Sequence, residues 1–121
     1  MKKRIALVSE DAYLSASRAQ LLHSAGYEVT TFQTKAELLQ ESLESRFDLL
    51  IVGHSLEYKS REKVHLLFRQ FNPDSPVLQL IASDEEAPGA DLAFDIYKGP
   101  GELLQAVESV LGPKVSKPSE P

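Results

Sequence analysis

With 121 residues, 42% of them hydrophobic and 26% charged, the chain has the size and composition of one globular domain with a single core, and leaves no room for a second. It has no cysteine, which excludes disulfides, thiolate nucleophiles and cysteine-ligated metals. The net charge is −5 and the one basic cluster is Lys2-Lys3-Arg4, so nucleic acid is not an expected partner; no apolar run approaches the roughly 20 residues of a membrane span, and a cytoplasmic protein is expected.

Residues 4–8 form a nearly continuous apolar run, the pattern of a strand covered on both faces, closed by Ser9-Glu10-Asp11. Over 12–25 the spacing turns helical, with Leu14, Leu21, Leu22 and Ala25 near one face, Asp11 as N-cap and Gly26 as stop. Residues 27–32 read as a second strand, Val29 alternating with threonines. Thr34 and Glu37 stand at capping-box spacing before Ala36, Leu39 and Leu43, which predicts a helix over 35–45. A third buried strand spans 47–52 and stops at Gly53-His54-Ser55. Val64, Leu67, Phe68 and Phe71 fall at i, i+3, i+4 and i+7, marking a third helix with Ser60 as cap and Asn72-Pro73 as stop.

Strand four is 76–81 and strand five 93–97, and Leu103, Leu104, Val107, Val110 and Leu111 mark the last helix. Between those two strands only 82–92 is available, interrupted by Pro88-Gly89; Ser83 and Glu86 allow one capped turn but not a full helix. Gly112-Pro113 ends a domain spanning 1–112, and 113–121 reads as a disordered tail rich in Pro, Ser and Lys.

Strands and helices that alternate in this way require a doubly wound parallel sheet, in which ligands bind at the carboxyl ends of the strands. The positions to inspect are then Ser9, Glu10 and Asp11, Gly53 and His54, Ile81 to Ser83, and Lys98.

Set in order, four stretches resemble the receiver domain of response regulators, the CheY-like phosphoaspartate switch of two-component signalling. They are Ile5-Ala6-Leu7-Val8-Ser9-Glu10-Asp11, Ala25-Gly26-Tyr27-Glu28-Val29, Phe47-Asp48-Leu49-Leu50-Ile51-Val52 and Tyr97-Lys98-Gly99-Pro100, the last with one glycine inserted. The resemblance runs over 3–111 and implies a five-stranded parallel sheet of flavodoxin-like topology, with the fourth helix shortened or missing. It also implies an aspartate nucleophile five residues beyond Asp48, where this chain has Gly53 and therefore no phosphoacceptor. The family's magnesium ligands fall at Ser9, Glu10 and the missing aspartate, which leaves at most weak Mg²⁺ binding at Glu10 and Asp11. The hydroxyl that senses the phosphoryl group falls at Ile81 and the switch aromatic at Asp95, while the lysine is kept as Lys98. The resemblance thus implies a pseudo-receiver without catalytic residues, whose degenerate acidic pocket consists of Glu10 and Asp11 neutralised by Lys98.

Such a protein signals through protein contacts, independently of phosphorylation. Loss of the fourth helix uncovers strand five, so Asp95 and Tyr97, with Leu103 or Gln105, form the expected patch for a sensor kinase, an output protein or a second copy of the chain. Two alternatives stand beside this reading. His54 can serve as acceptor in an active phosphorelay receiver. A flavodoxin-like protein can hold a nucleotide or flavin at its strand ends, although the acidic loop Ser9-Glu10-Asp11-Ala12 repels phosphates. His23 and His65 read as helix-surface histidines with no zinc spacing, and no Gly-x-Ser-x-Gly elbow supports a hydrolase.

Overall fold

Two interleaved apolar sets explain the layers. In β1 (Arg4–Val8) Ile5 and Leu7 point to one face and Ala6 and Val8 to the other, and β3 (Leu49–Val52) repeats this with Leu49 and Ile51 against Leu50 and Val52. A sheet apolar on both faces must be covered on both, and helices pack on each face. The structure is a computed structural model that describes residues 2–42, 45–82 and 85–112; the expected tail 113–121, Leu43 and Ser83 lie outside the described residues.

The remaining elements are α1 (Ala12–Ser24), β2 (Glu28–Phe32), α2 (Lys35–Ser42), α3 (Tyr58–Phe71), β4 (Val77–Ile81), β5 (Leu92–Asp95) and α4 (Pro100–Leu111). The five strands pair in parallel in the order β2-β1-β3-β4-β5, a flavodoxin-like α/β fold. One core joins Ile5, Leu7, Leu49, Ile51 and Leu80 to Leu22 of α1 and Leu103 and Val107 of α4. The other joins Ala6, Val8, Leu50 and Val52 to Leu38 of α2 and Val64 and Phe68 of α3. Among the described residues no helix stands between β4 and β5, as Pro88-Gly89 requires.

Local chemistry sets the helix starts. Asp11 accepts from Leu14 N at 3.1 Å, and Thr34 Oγ1 accepts from Glu37 N at 3.1 Å. Glu37 reaches back to Gln33 N at 2.7 Å, one residue before its usual capping-box partner. In α2 the apolar face differs from expectation: Ala36 and Leu39 are exposed and Leu38 is buried, because Leu38 is the side chain that joins the core cluster containing Phe32, Phe47 and Phe68. Helix α3 begins at Tyr58, so Ser60 lies inside it rather than capping it. Strand β5 ends at Asp95, two residues earlier than expected, and Tyr97 and Lys98 belong to a turn.

Candidate functional site

In the order β2-β1-β3, the chain direction of winding reverses between β1 and β3, and the ends of these strands open on the crevice where such folds bind ligands. Here that crevice is filled by its own chain. Ser9 is 1% exposed, its N–H donates to Phe32 O at 2.9 Å, and its Oγ accepts from Asp11 N at 3.2 Å. Gly53 N donates to Val8 O at 2.7 Å, which draws the two strand ends together. A Cβ on Gly53 would stand 2.8 Å from both Cβ and Oγ of Ser9 and 3.3 Å from its Cα. Any side chain at 53 therefore requires Ser9 or the backbone around it to shift.

Glu10 and Asp11 are exposed, and Asp11 is committed to the cap of α1. Among the described residues no three His, Cys, Asp or Glu side chains converge in a way that could hold a metal. The donor set does not fit the octahedral magnesium site of an active receiver, because position 53 has no carboxylate. Lys98 corrects the expectation of a lysine-neutralised pocket. It is exposed, and among the described residues its ammonium forms no ion pair with Glu10 or Asp11. The physical reason is the early end of β5: Lys98 sits in a turn, its N–H donating to Asp95 O at 3.1 Å, instead of at the strand end. Ile81 is buried and its carbonyl accepts from Ile96 N.

His54 is half-buried beside this crevice. Its Nδ1 is buried without a partner among the described residues, and its carbonyl accepts from Arg61. Burial, reinforced by the charges of Arg18 and Arg61, pushes its pKa below the ordinary histidine value.

Sequence reasoning missed a polar cluster on the α3 side of the sheet. His65 is not a surface residue: it is 5% exposed, and its Nε2 lies 2.9 Å from Gln79 Oε1. Gln79 spends its amide N–H groups on Leu80 O at 2.9 Å and Val52 O at 3.2 Å, so its oxygen accepts and His65 Nε2 donates. Arg61 donates to the carbonyls of Leu56 and His54 and lies 3.4 Å from Glu85 Oε1. Glu85 in turn accepts from Ala82 N at 3.0 Å and from the Tyr58 hydroxyl at 3.1 Å, so it ties the segment after β4 to α3. The signal in the sequence was Gln79, a polar residue inside the apolar run Val77-Leu78-Gln79-Leu80-Ile81.

Of the expected partner patch, Tyr97 is 74% exposed, Gln105 is exposed and Asp95 is half-buried, its Oδ1 accepting from Tyr97 N at 2.9 Å. Leu103 is not part of it: it is 6% exposed and packs in the core with Phe94 and Val107, on the helix face that holds α4 to the sheet.

No protein-family model matches the chain, and no curated protein matches it. Solved structures do. The chain is similar to the chemotaxis response regulator CheY4 of Vibrio cholerae, with 22% identity and a TM-score of 0.78 over 92% of this chain and 100% of that one. It is similar to the response regulator TrrA from Thermotoga maritima, solved with Mg²⁺-BeF, with 24% identity and a TM-score of 0.76 over 90% and 99% of the two chains. It is also similar to an adenylate cyclase from Rhodopirellula baltica, with 20% identity and a TM-score of 0.79 over 92% and 88%. At these identities the likeness is one of fold, and the fold is the CheY-like receiver fold of response regulators. Among the described residues no helix is long and apolar enough to cross a membrane.

Proposed function

We propose that this chain is a pseudo-receiver: a cytoplasmic signalling module of the two-component type that keeps the receiver fold and works through protein contacts without phosphorylation. The observation that supports this reading most is Gly53 itself, which offers no carboxylate and where a Cβ would stand 2.8 Å from Ser9, so that a side chain there needs its surroundings to shift. Signalling in such a module passes through a surface, and exposed Tyr97 in the turn after β5, with half-buried Asp95 at the strand end and exposed Gln105 on α4, supplies one next to the segment where the fourth helix is lost. Its partner is a protein: a sensor kinase, an output protein or a second copy.

Incubation with acetyl phosphate, or with beryllofluoride and Mg²⁺, should add no mass and move no backbone amide around Gly53. A stable phosphoryl adduct would overturn the reading, and its loss in His54→Ala would move the acceptor to that residue. Tyr97→Ala with Gln105→Arg should abolish self-association in sedimentation, or binding to a co-purifying partner, with an unchanged circular dichroism spectrum. Asp95 is left in place there because its side chain holds the turn.

A further inference from the structure

Where receivers carry their fourth helix, this chain has a groove of about 790 Å³, within the ~300–1,000 Å³ of small-molecule sites. Tyr58 and Leu66 of α3 form one wall and Ala87-Pro88-Gly89 the other, with His65, Gln79 and Arg61 among the lining groups. Tyr58 and Leu66 are 58% and 65% exposed, so the groove has a wide apolar rim.

The buried groups decide what fits. Gln79 and His65 satisfy each other, and His65 Nδ1 faces the Gly89 side, 3.8 Å from where a Cβ on that glycine would stand. Arg61 is different. It is 5% exposed, and its Nε and one terminal nitrogen are engaged, yet its Nη1 is buried with no partner among the described residues. A buried guanidinium N–H without an acceptor is costly, and a ligand that supplies one removes that cost. An apolar partner helix laid across the groove would leave the nitrogen unpaired.

We infer that the groove between α3 and residues 85–89 binds a small aromatic carboxylate, whose carboxylate accepts from Arg61 while its ring lies against Tyr58, Leu66 and Pro88. This site lies apart from the Tyr97 turn and from the closed Ser9-Gly53 crevice, and it stands whether or not the chain signals through that turn.

The test is a titration of the isotope-labelled protein with 1-naphthoate and, separately, with the neutral 1-naphthylmethanol, followed by backbone amide shifts. Naphthoate should give saturable shifts at 58–66, 79 and 85–90, and the alcohol should bind at least about tenfold more weakly. Leu66→Glu places a like charge on the exposed rim, away from the core, and should weaken naphthoate by a similar factor with the spectrum of the free protein otherwise unchanged. Absence of saturable shifts in the folded protein, equal binding of acid and alcohol, or indifference to Leu66→Glu would each overturn the proposal, as would saturation by an amphipathic helical peptide alone.

Discussion

Ser9 and Gly53 end adjacent strands so close together that a carbon added to the glycine would meet the serine Cβ and Oγ at 2.8 Å. A side chain at position 53 therefore needs the neighbouring strand end to shift. Gly53→Asp should destabilise the fold by about 1–3 kcal/mol through overpacking, measured by urea denaturation, and should still take up no phosphoryl group from acetyl phosphate. Adding Ser9→Gly should recover part of the loss, because the two positions share one space. Strict additivity of the two changes would argue against the contact.

Arg61 bears on the segment that replaces the fourth helix. It donates to the carbonyls of Leu56 and His54, pairs with Glu85 and lies 4.7 Å over the Tyr58 ring. Removal of one partner of a buried charged network typically costs about 3–5 kcal/mol, and Glu85 is partly exposed, so Arg61→Met should cost about 2–4 kcal/mol. Hydrogen exchange should accelerate first at 85–90. Arg61→Lys should rescue little, because an ammonium cannot fork between two carbonyls. Uniform acceleration over the whole chain would show that Arg61 acts on global stability alone.

The order of the strands and the caps at Asp11 and Thr34 were legible because they rest on local chemistry: the apolar run 4–8, Asp11 before α1, and the Thr34-Glu37 spacing all specify their elements without reference to the rest of the chain, whereas the Ser60 cap and the end of β5 were misplaced. That position 53 carries no side chain was legible, but its contact with Ser9 was not, since that depends on how closely two strands distant in sequence approach. Leu38 against Leu39 shows the same limit, because a short helix with adjacent leucines takes its rotation from what it docks on. The cluster of Arg61, His65 and Gln79 was hidden for a further reason. Arg61 and His65, being polar residues on a helix, read as solvent-facing, and only the segment after β4, tied to α3 through Glu85, shows them as the lining of a partly covered groove.

Lys98 bears on whether the acidic residues after β1 are neutralised. A lysine neutralising Glu10 and Asp11 would stabilise the fold, but Lys98 is exposed and joins neither by an ion pair among the described residues. Lys98→Met should change stability by no more than about 0.5 kcal/mol at neutral pH, the usual range for surface substitutions. A loss above 1–2 kcal/mol that fades toward pH 4 would restore the neutralised pocket.

His65 gives the stability a pH dependence of definite sign. Its pKa is pushed below the ordinary 6.5 by burial, with Arg69 and Arg61 adding to the effect, while the Gln79 hydrogen bond and Asp91 oppose it. Above the unfolded value both states hold a neutral imidazole, and the stabilisation is fully present. As the pH falls below it, the unfolded chain takes up a proton that the folded chain refuses, so stability declines until the folded pKa is passed. The decline is at most about 1.4 kcal/mol per pH unit for one such group. His54, also held below its ordinary value, adds a contribution of the same sign. Urea denaturation of the wild-type protein from pH 7.5 to 5.5 should therefore show falling stability. His65→Gln, which keeps an N–H for Gln79 but cannot titrate, should be less stable at the upper pH and show a shallower decline, with the remainder removed by His54→Gln. An identical pH slope in the wild-type and His65→Gln proteins would mean that protonation of His65 is not resisted by the fold, and that its contact with Gln79 opens freely to water.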